Sequence, residues 1–180
     1  MTQGLLLVMA LVAGPGPDTF DVRAELQGLY DEISQATLQF VTASDVDQFH
    51  DVLYTSDWVF VDATGQKRNW SQMREGAVQA LSAPPLGSMS QPIRKLSVDP
   101  EGVTVIVDLT TVRTVVDHEG RYGRAEVPHT LTETTAFRDR WVRVSGDWKL
   151  KSREQIGRPI ESVDKRTTAV RSVALVPRCV

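Results

Sequence analysis

The stretch Thr130–Ile156, TLTETTAFRDRWVRVSGDWKLKSREQI, decides the fold. It reads as two strands around a tight turn, with Gly146-Asp147 or Ser145-Gly146 as the central pair. A two-residue loop in either register places Phe137, Asp139, Trp141, Trp148, Leu150, Ser152, Glu154 and Ile156 on one face. Arg138, Arg140, Lys149, Lys151 and Arg153 then share the other face with Val142 and Val144. A three-residue loop would mix tryptophans with lysines on both faces, so burial of aromatic surface selects the even register. One face is expected to be apolar with carboxylates set into it, the other basic and wet. A concave sheet face that is half polar and half aromatic suits a pocket.

Upstream of the hairpin, Ile93–Val98 is followed by the turn Asp99-Pro100-Glu101-Gly102 and the β-branched run Val103–Val116. His118–Val127, with Gly120 and Gly123, reads as a polar connection, and Ser82–Pro92, with three prolines and a glycine, as a loop. Earlier the period changes. From Asp21 the apolar residues Val22, Leu26, Leu29, Ile33, Phe40 and Val41 fall at helical spacing, predicting a long first helix with one buried face. Asp45 is expected to cap a second helix carrying Val46, Phe49 and Leu53. Asp57–Asp62, DWVFVD, alternates as a strand and ends in the turn Ala63–Gln66. Asn69 with Gln72 forms a capping-box signature for a third helix, whose buried face would be Trp70, Met73, Ala77, Val78 and Leu81. Helices followed by a run of strands indicate an α+β domain: a cone-shaped, curved antiparallel sheet wrapped on a long N-terminal helix.

Composition narrows the classes. A net charge of -3, with no Lys/Arg run interleaved with aromatics, gives no electrostatic reason to expect nucleic acid. The single cysteine, Cys179, excludes an internal disulfide and argues against structural zinc. His50, His118 and His129 show no ligand spacing, so no metal or cofactor is expected. Leu5–Ala13 is an apolar run of signal-peptide length and too short to span a bilayer. Residues 1–17 are therefore expected to be a signal peptide or a disordered end, with export to a periplasmic or extracellular space and no integral membrane segment after its removal. A ragged start on a cytoplasmic protein is the alternative. The cone domain is assigned to 18–157 and a C-terminal extension to 158–180, with a weakly strand-like patch at Ala169–Val176.

Two local signatures add to this order of elements: DVLYTSDWVFVDATGQ at Asp51–Gln66, and the terminal hairpin pattern W-x-x-x-x-G-x-W-x-[ILV] at Trp141–Leu150. With them the chain, over roughly Asp21–Ile156, resembles the nuclear transport factor 2-like superfamily, especially its SnoaL-like and ketosteroid-isomerase-like branch. The resemblance implies the cone fold and a homodimer. It also implies that Asp62, at the end of the first strand, matches the proton-shuttling base of the isomerase branch. The isomerases add an oxyanion hole of a tyrosine and a protonated aspartate. The tyrosine position falls at or beside Leu38 and the acid position near Arg138, so those partners are not expected here.

Extending the hairpin parity backward puts His129, Leu131, Glu133 and Thr135 on the inner face, unless a β-bulge reverses them. If the odd residues of Val103–Val115 face inward, Arg113 joins them. The candidate acid–base residues are Asp62, His129 and Glu133. The candidate ligand-binding residues are Tyr30, Trp58, Phe60, Arg113, Asp139, Trp141 and Glu154. Inward carboxylates would repel unless paired, and Arg113 and His129 are their expected partners. Each residue also has a plain structural role open to it. Asp62 can accept hydrogen bonds from its own turn, Glu133 and Asp139 can form cross-strand ion pairs, and the tryptophans can be core. Two function classes follow. One is an isomerase-, dehydratase- or hydrolase-type enzyme on a small apolar organic substrate. The other is a non-catalytic module that binds a small molecule or dimerises. A small-molecule pocket is the expectation common to most of these readings.

Overall fold

In the computed structural model, which describes residues 19–116, 118–120 and 128–164, the helical spacing after Asp21 becomes α1 (Thr19–Leu38). The helix stops three residues before Val41, which is 78% exposed rather than part of the buried face. α2 (Ala43–Leu53) is capped by Thr42, not Asp45. The Thr42 side chain accepts from the Asp45 N–H, and Asp45, at the third helical position, accepts from the Thr42 N–H at 2.8 Å. Reciprocal use of both side chains satisfies two otherwise orphaned donors. The same arrangement, as the sequence predicts, starts α3 (Trp70–Gln79) from Asn69 and Gln72.

The strands are β1 (Tyr54–Val61), β2 (Lys67–Asn69), β3 (Leu86–Ser90), β4 (Ile93–Asp99), β5 (Gly102–Val116), β6 (Pro128–Val144) and β7 (Asp147–Asp164). They form one sheet in the order β2-β1-β7-β6-β5-β3, with β4 pairing with β5 as well. The upper part of β5 takes β3 on its free edge and the lower part takes β4. Three features differ from the expectations. The stretch Ser82–Pro92 is not a plain loop, because Leu86–Ser90 adds to β5 as an edge strand. The sheet is mixed, because β1 runs parallel to β7. The two strands are far apart in sequence, and no hairpin imposes an antiparallel order on them. Finally, β7 continues through Asp164, so residues 158–164 belong to the sheet. The expected signal segment, the loop residues 121–127 and the patch at 169–176 lie outside the described residues.

The hairpin turn is the two-residue loop Ser145-Gly146, both at positive φ (55° and 97°), between the paired residues Val144 and Asp147. Positive φ at both central positions matches the twist of the flanking strands. β6 pairs with β5 without interruption, so its odd residues keep one face throughout. His129, Leu131, Thr135, Phe137, Asp139 and Trp141 are all buried there, as parity predicts. β7 does not keep its parity. Trp141 opposes Leu150 but Arg140 opposes Ser152, leaving Lys151 as an extra, bulged residue. Beyond the bulge the faces exchange. Arg153 therefore points inward, opposite Asp139, while Ser152, Glu154 and Ile156 take the outer face expected for the arginines. Glu154 pairs there with Arg138 at 2.7 Å, and Ile156 is 37% exposed.

α1 lies across the concave face. Val22, Leu26, Tyr30 and Ile33 pack on Val103, Val105 and Val107 of β5, Phe137 and Trp141 of β6, and Leu150 of β7. Leu26, with no exposed surface, contributes about 1.5–3 kcal/mol by burial alone. The predicted inner face of α3 is only half buried: none of Trp70, Met73, Ala77, Val78 or Leu81 is sealed from solvent. Three of them look instead into a cavity.

Candidate functional site

Beneath α1 the inward polar residues close on one another. Asp139, with no exposed surface, receives Arg153 Nε on Oδ1 at 2.8 Å and Arg153 Nη2 on Oδ2 at 2.7 Å. Tyr30, equally buried, donates its hydroxyl to Asp139 Oδ2 at 2.6 Å and accepts from Trp141 Nε1 at 2.8 Å. Gln91 accepts from Arg153 Nη2 at 3.0 Å and donates to Ser34 Oγ at 3.2 Å. Ser34 in turn donates to the Tyr30 carbonyl at 2.8 Å. The cluster thus ties α1, the β3–β4 connection, β6 and β7 into one unit. A carboxylate this deep is tolerable only with such saturation.

Charge states follow from the packing. Burial, then the negative charge of Asp139, pushes the Tyr30 hydroxyl well above its ordinary value, so it stays a donor. For Arg153, burial works against the cation, but the charge and hydrogen bonds of Asp139 outweigh it and raise the guanidinium above its ordinary value. Phe137 lies under the guanidinium, its ring centroid 4.9 Å from Cζ. The expected partners of the inward carboxylates, Arg113 and His129, do not fill that role for Asp139; Arg153 does, because the bulge turns it inward.

Arg153 is also the floor of a cavity of about 560 Å³. Its walls come from the C-terminal half of α1 (Ile33, Leu38), from α2 (Val46, Phe49), from the inner face of α3 (Trp70, Ala77) and from Leu81 to Leu86. Thr111, Arg113, Glu133 and Tyr54 supply the remaining polar groups. Two other depressions are more open and lie among charged surface side chains already in ion pairs, Arg143–Glu25 in one and Lys151–Asp57 in the other. The cavity below α3 has the mixed character of a small-molecule site, mostly apolar with a few convergent polar groups.

Of the ten residues singled out from sequence, Glu133 and Arg113 line this cavity. Neither makes an ion pair with another described residue. Tyr30, Asp139 and Trp141 form the buried cluster behind Arg153, and Trp58 and Phe60 belong to the adjoining aromatic packing. His129 is buried at the far end of β6, opposite Val115, and is not part of the wall. Asp62 lies in its own turn. Its Oδ1 accepts from the Thr64 N–H, the Thr64 hydroxyl and the Gln66 N–H, and its Oδ2 pairs with Arg68 at 3.1 Å. The Thr64 hydroxyl, with the backbone donors and Arg68, lowers the Asp62 carboxyl below its ordinary value. Glu154 is on the outer face.

The sequence did not place Arg153, Trp70, Phe49, Gln91 or Ser34 at the site. Tyr54, expected on a helix from which it could reach the cavity or cover its edge, lines the cavity from the start of β1. A signal for Arg153 was present: in a regular ladder Asp139 would face inward without a cation opposite, and one bulged residue cures this. At the elements where the resemblance places an oxyanion hole, a tyrosine of α1 and an acid of β6 do meet, as Tyr30 and Asp139. Both are fully buried and Asp139 is occupied by Arg153, so the pair offers no donor to a ligand. Leu38 is an apolar wall residue and Arg138 an outer-face cation. Among the described residues no group of three His, Cys, Asp or Glu side chains could hold a metal, and no helix is long and apolar enough to cross a membrane.

No family profile and no curated protein matches the sequence. Solved structures do. A conserved protein from Planctomyces limnophilus DSM 3776 aligns with a TM-score of 0.56 and 15% identity, over 78% of this chain and 98% of that one. A nuclear transport factor 2-like superfamily protein from Salmonella enterica serovar Typhimurium aligns with a TM-score of 0.51 and 14% identity, over 77% and 92%. A protein from Kribbella flavida gives 0.50 and 12%, over 76% and 95%. These likenesses carry the fold alone: the chain has the nuclear transport factor 2-like fold, α+β with a long first helix on a large curved mixed sheet.

Proposed function

We propose that this chain is a SnoaL-like small-molecule-binding domain whose ligand occupies the cavity between α3 and the sheet. The observation that carries this reading is the half-buried inner face of α3. Trp70 stacks on His50 at 4.2 Å, yet it, Ala77 and, just past the end of α3, Leu81 stay only half buried and line the cavity. Apolar surface left open around a polar floor favours an apolar guest, since each buried methylene of the guest gains about 0.8 kcal/mol. Size agrees, because a volume of about 560 Å³ lies in the range of small-molecule sites.

Among the acid–base candidates, only Glu133 lines the cavity, so a catalytic version of this reading assigns proton transfer to Glu133 rather than to Asp62 or His129. The turn contacts of Asp62 favour the role of a hydrogen-bond acceptor. Native mass spectrometry of the purified protein, beside the Ala77→Trp variant that fills the cavity, tests the binding reading. The expected result is a retained small molecule, or saturable uptake of an added naphthalene probe, in the wild type and its loss in the variant. Equal behaviour of both proteins would contradict it.

A further inference from the structure

The floor of the cavity holds donors that the protein leaves unused. Arg153 spends Nε and Nη2 on Asp139 and Gln91, while Nη1 makes no hydrogen bond among the described residues. This nitrogen is not sealed inside the protein, and Arg153 is a wall residue of the cavity. Tyr54, at the start of β1, also lines the cavity, and its hydroxyl has no hydrogen-bond partner among the described residues. Its ring is fixed by stacking on His50 at 5.1 Å and by edge contacts with Phe49 and Trp58. The hydroxyl lies within the electrostatic reach of Arg153. Burial outweighs that cation and raises the Tyr54 hydroxyl above its ordinary value, so it keeps its proton. Arg113 adds a second guanidinium without an ion pair among the described residues.

We propose that the cavity takes an organic monocarboxylate, its carboxylate seated between Arg153 Nη1 and the Tyr54 hydroxyl and its apolar body lying along Leu38, Phe49, Trp70 and Leu81. The proposal rests on the small-molecule reading given above and names the head group within it. Three features select this chemistry. First, Nη1 and the Tyr54 hydroxyl, the unused groups of the floor, both donate, and a carboxylate is an acceptor-only group with two oxygens to meet them. Second, Asp139 already neutralises Arg153, and Arg113 on the wall faces one carboxylate, Glu133, so the charges around the cavity cancel and a guest with one negative charge is better tolerated than a dianion. Third, Arg153 is preorganised. Its orientation is held by Asp139 and Gln91 before any ligand arrives, which removes the entropic cost that a free surface arginine would incur.

The test compares three probes with one aromatic body: 2-naphthoate, 2-naphthalenemethanol and 2-naphthyl phosphate, titrated by calorimetry against the wild type, Tyr54→Phe and Arg113→Gln. Both variants change wall residues that make no hydrogen bond or ion pair with described residues, which leaves the buried cluster intact. The expected result is a preference for naphthoate over the alcohol of about 10-fold or more, as for a charge-assisted hydrogen bond to a fixed donor. The phosphate is expected to bind no tighter than naphthoate. Each variant is expected to reduce the preference for the carboxylate while leaving affinity for the alcohol unchanged. Equal binding of the alcohol and the carboxylate would overturn the head-group assignment and leave the cavity as a ligand site. Tighter binding of the phosphate would overturn the single-charge selection. Full carboxylate preference in Tyr54→Phe would remove Tyr54 from the seat. Saturable binding of none of the three would overturn this proposal together with the reading it rests on.

Discussion

Asp139 and Arg153 set the chemistry of the concave face at the level of single side chains. Two charges removed from water are tolerated only when other groups bond them. Tyr30 bonds Asp139 and Gln91 bonds Arg153, Trp141 and Ser34 brace those two, and Arg153 Nη1 is left toward the cavity. Tyr30→Phe keeps the ring but strips Trp141 Nε1 of its acceptor and Asp139 of one donor. Urea unfolding is expected to show a loss of about 1–3 kcal/mol, the cost of leaving buried polar groups unpaired. A change below about 0.5 kcal/mol would mean that water or rearrangement repairs the gap. On the outer face, Arg140 holds the Asp99 carboxyl down at about 2. The folded-state value is below the ordinary 3.8, so the unfolded chain takes up the proton first. The stabilisation from this pair is therefore complete above about pH 4 and fades as pH falls through about 2. In Asp99→Asn that part of the acid dependence should vanish, which chemical denaturation of both proteins between those pH values will show. At this scale Asp139 was legible, because hairpin parity alone turned it inward. Arg153 was not, since one extra residue between it and the turn changed its face.

Elements explain why the rest of the hairpin was readable and that residue was not. The Ser145-Gly146 turn and the uninterrupted β5–β6 ladder transmit parity faithfully over the length of β6. On β7 the bulge at Lys151 breaks it, and a second irregularity follows near Gly157, at φ 78°. Alternation in sequence cannot register a bulge directly; only the unpaired charge it would leave on Asp139 points to one. Edge strand β3 was hidden for a different reason. Its sequence, Leu86–Ser90, is short and contains a glycine, so local preference says loop and pairing with β5 overrides it. The β4–β5 turn offers a sharp test of close packing. Gly102 has φ 148°, and a Cβ there would lie 2.2 Å from the Trp141 carbonyl oxygen, a backbone atom with nowhere to move. Gly102→Ala is expected to cost at least about 1–3 kcal/mol of stability in thermal or urea unfolding. A neutral substitution would show that the turn is looser than its contacts imply.

For the whole molecule, the order of helices and strands and the Trp-rich hairpin were enough to reach the nuclear transport factor 2-like fold, and the solved structures agree. The site was only half legible. Glu133 and Arg113 could be placed by parity, but the cavity wall is assembled from α1, α2, α3 and the approach to β3, whose meeting no local pattern records. Asp62 illustrates the reverse case: resemblance matches it to a base, while the structure shows its carboxylate bonded within its own turn, the other role open to it from sequence. The central claim is that the space between α3 and Arg153 is a binding site, and the four tryptophans allow it to be tested at once. Trp70 lines the cavity, Trp58 and Trp141 are buried in the core, and Trp148 is tied to Glu25 away from the cavity. The decisive measurement is a titration of the indole N–H signals by 1H–15N NMR with 2-naphthoate. A saturable shift of the Trp70 signal, with Trp148 unmoved, is the predicted result. Shifts confined to Trp148, or none at saturating probe, would contradict the assignment of this cavity as the site.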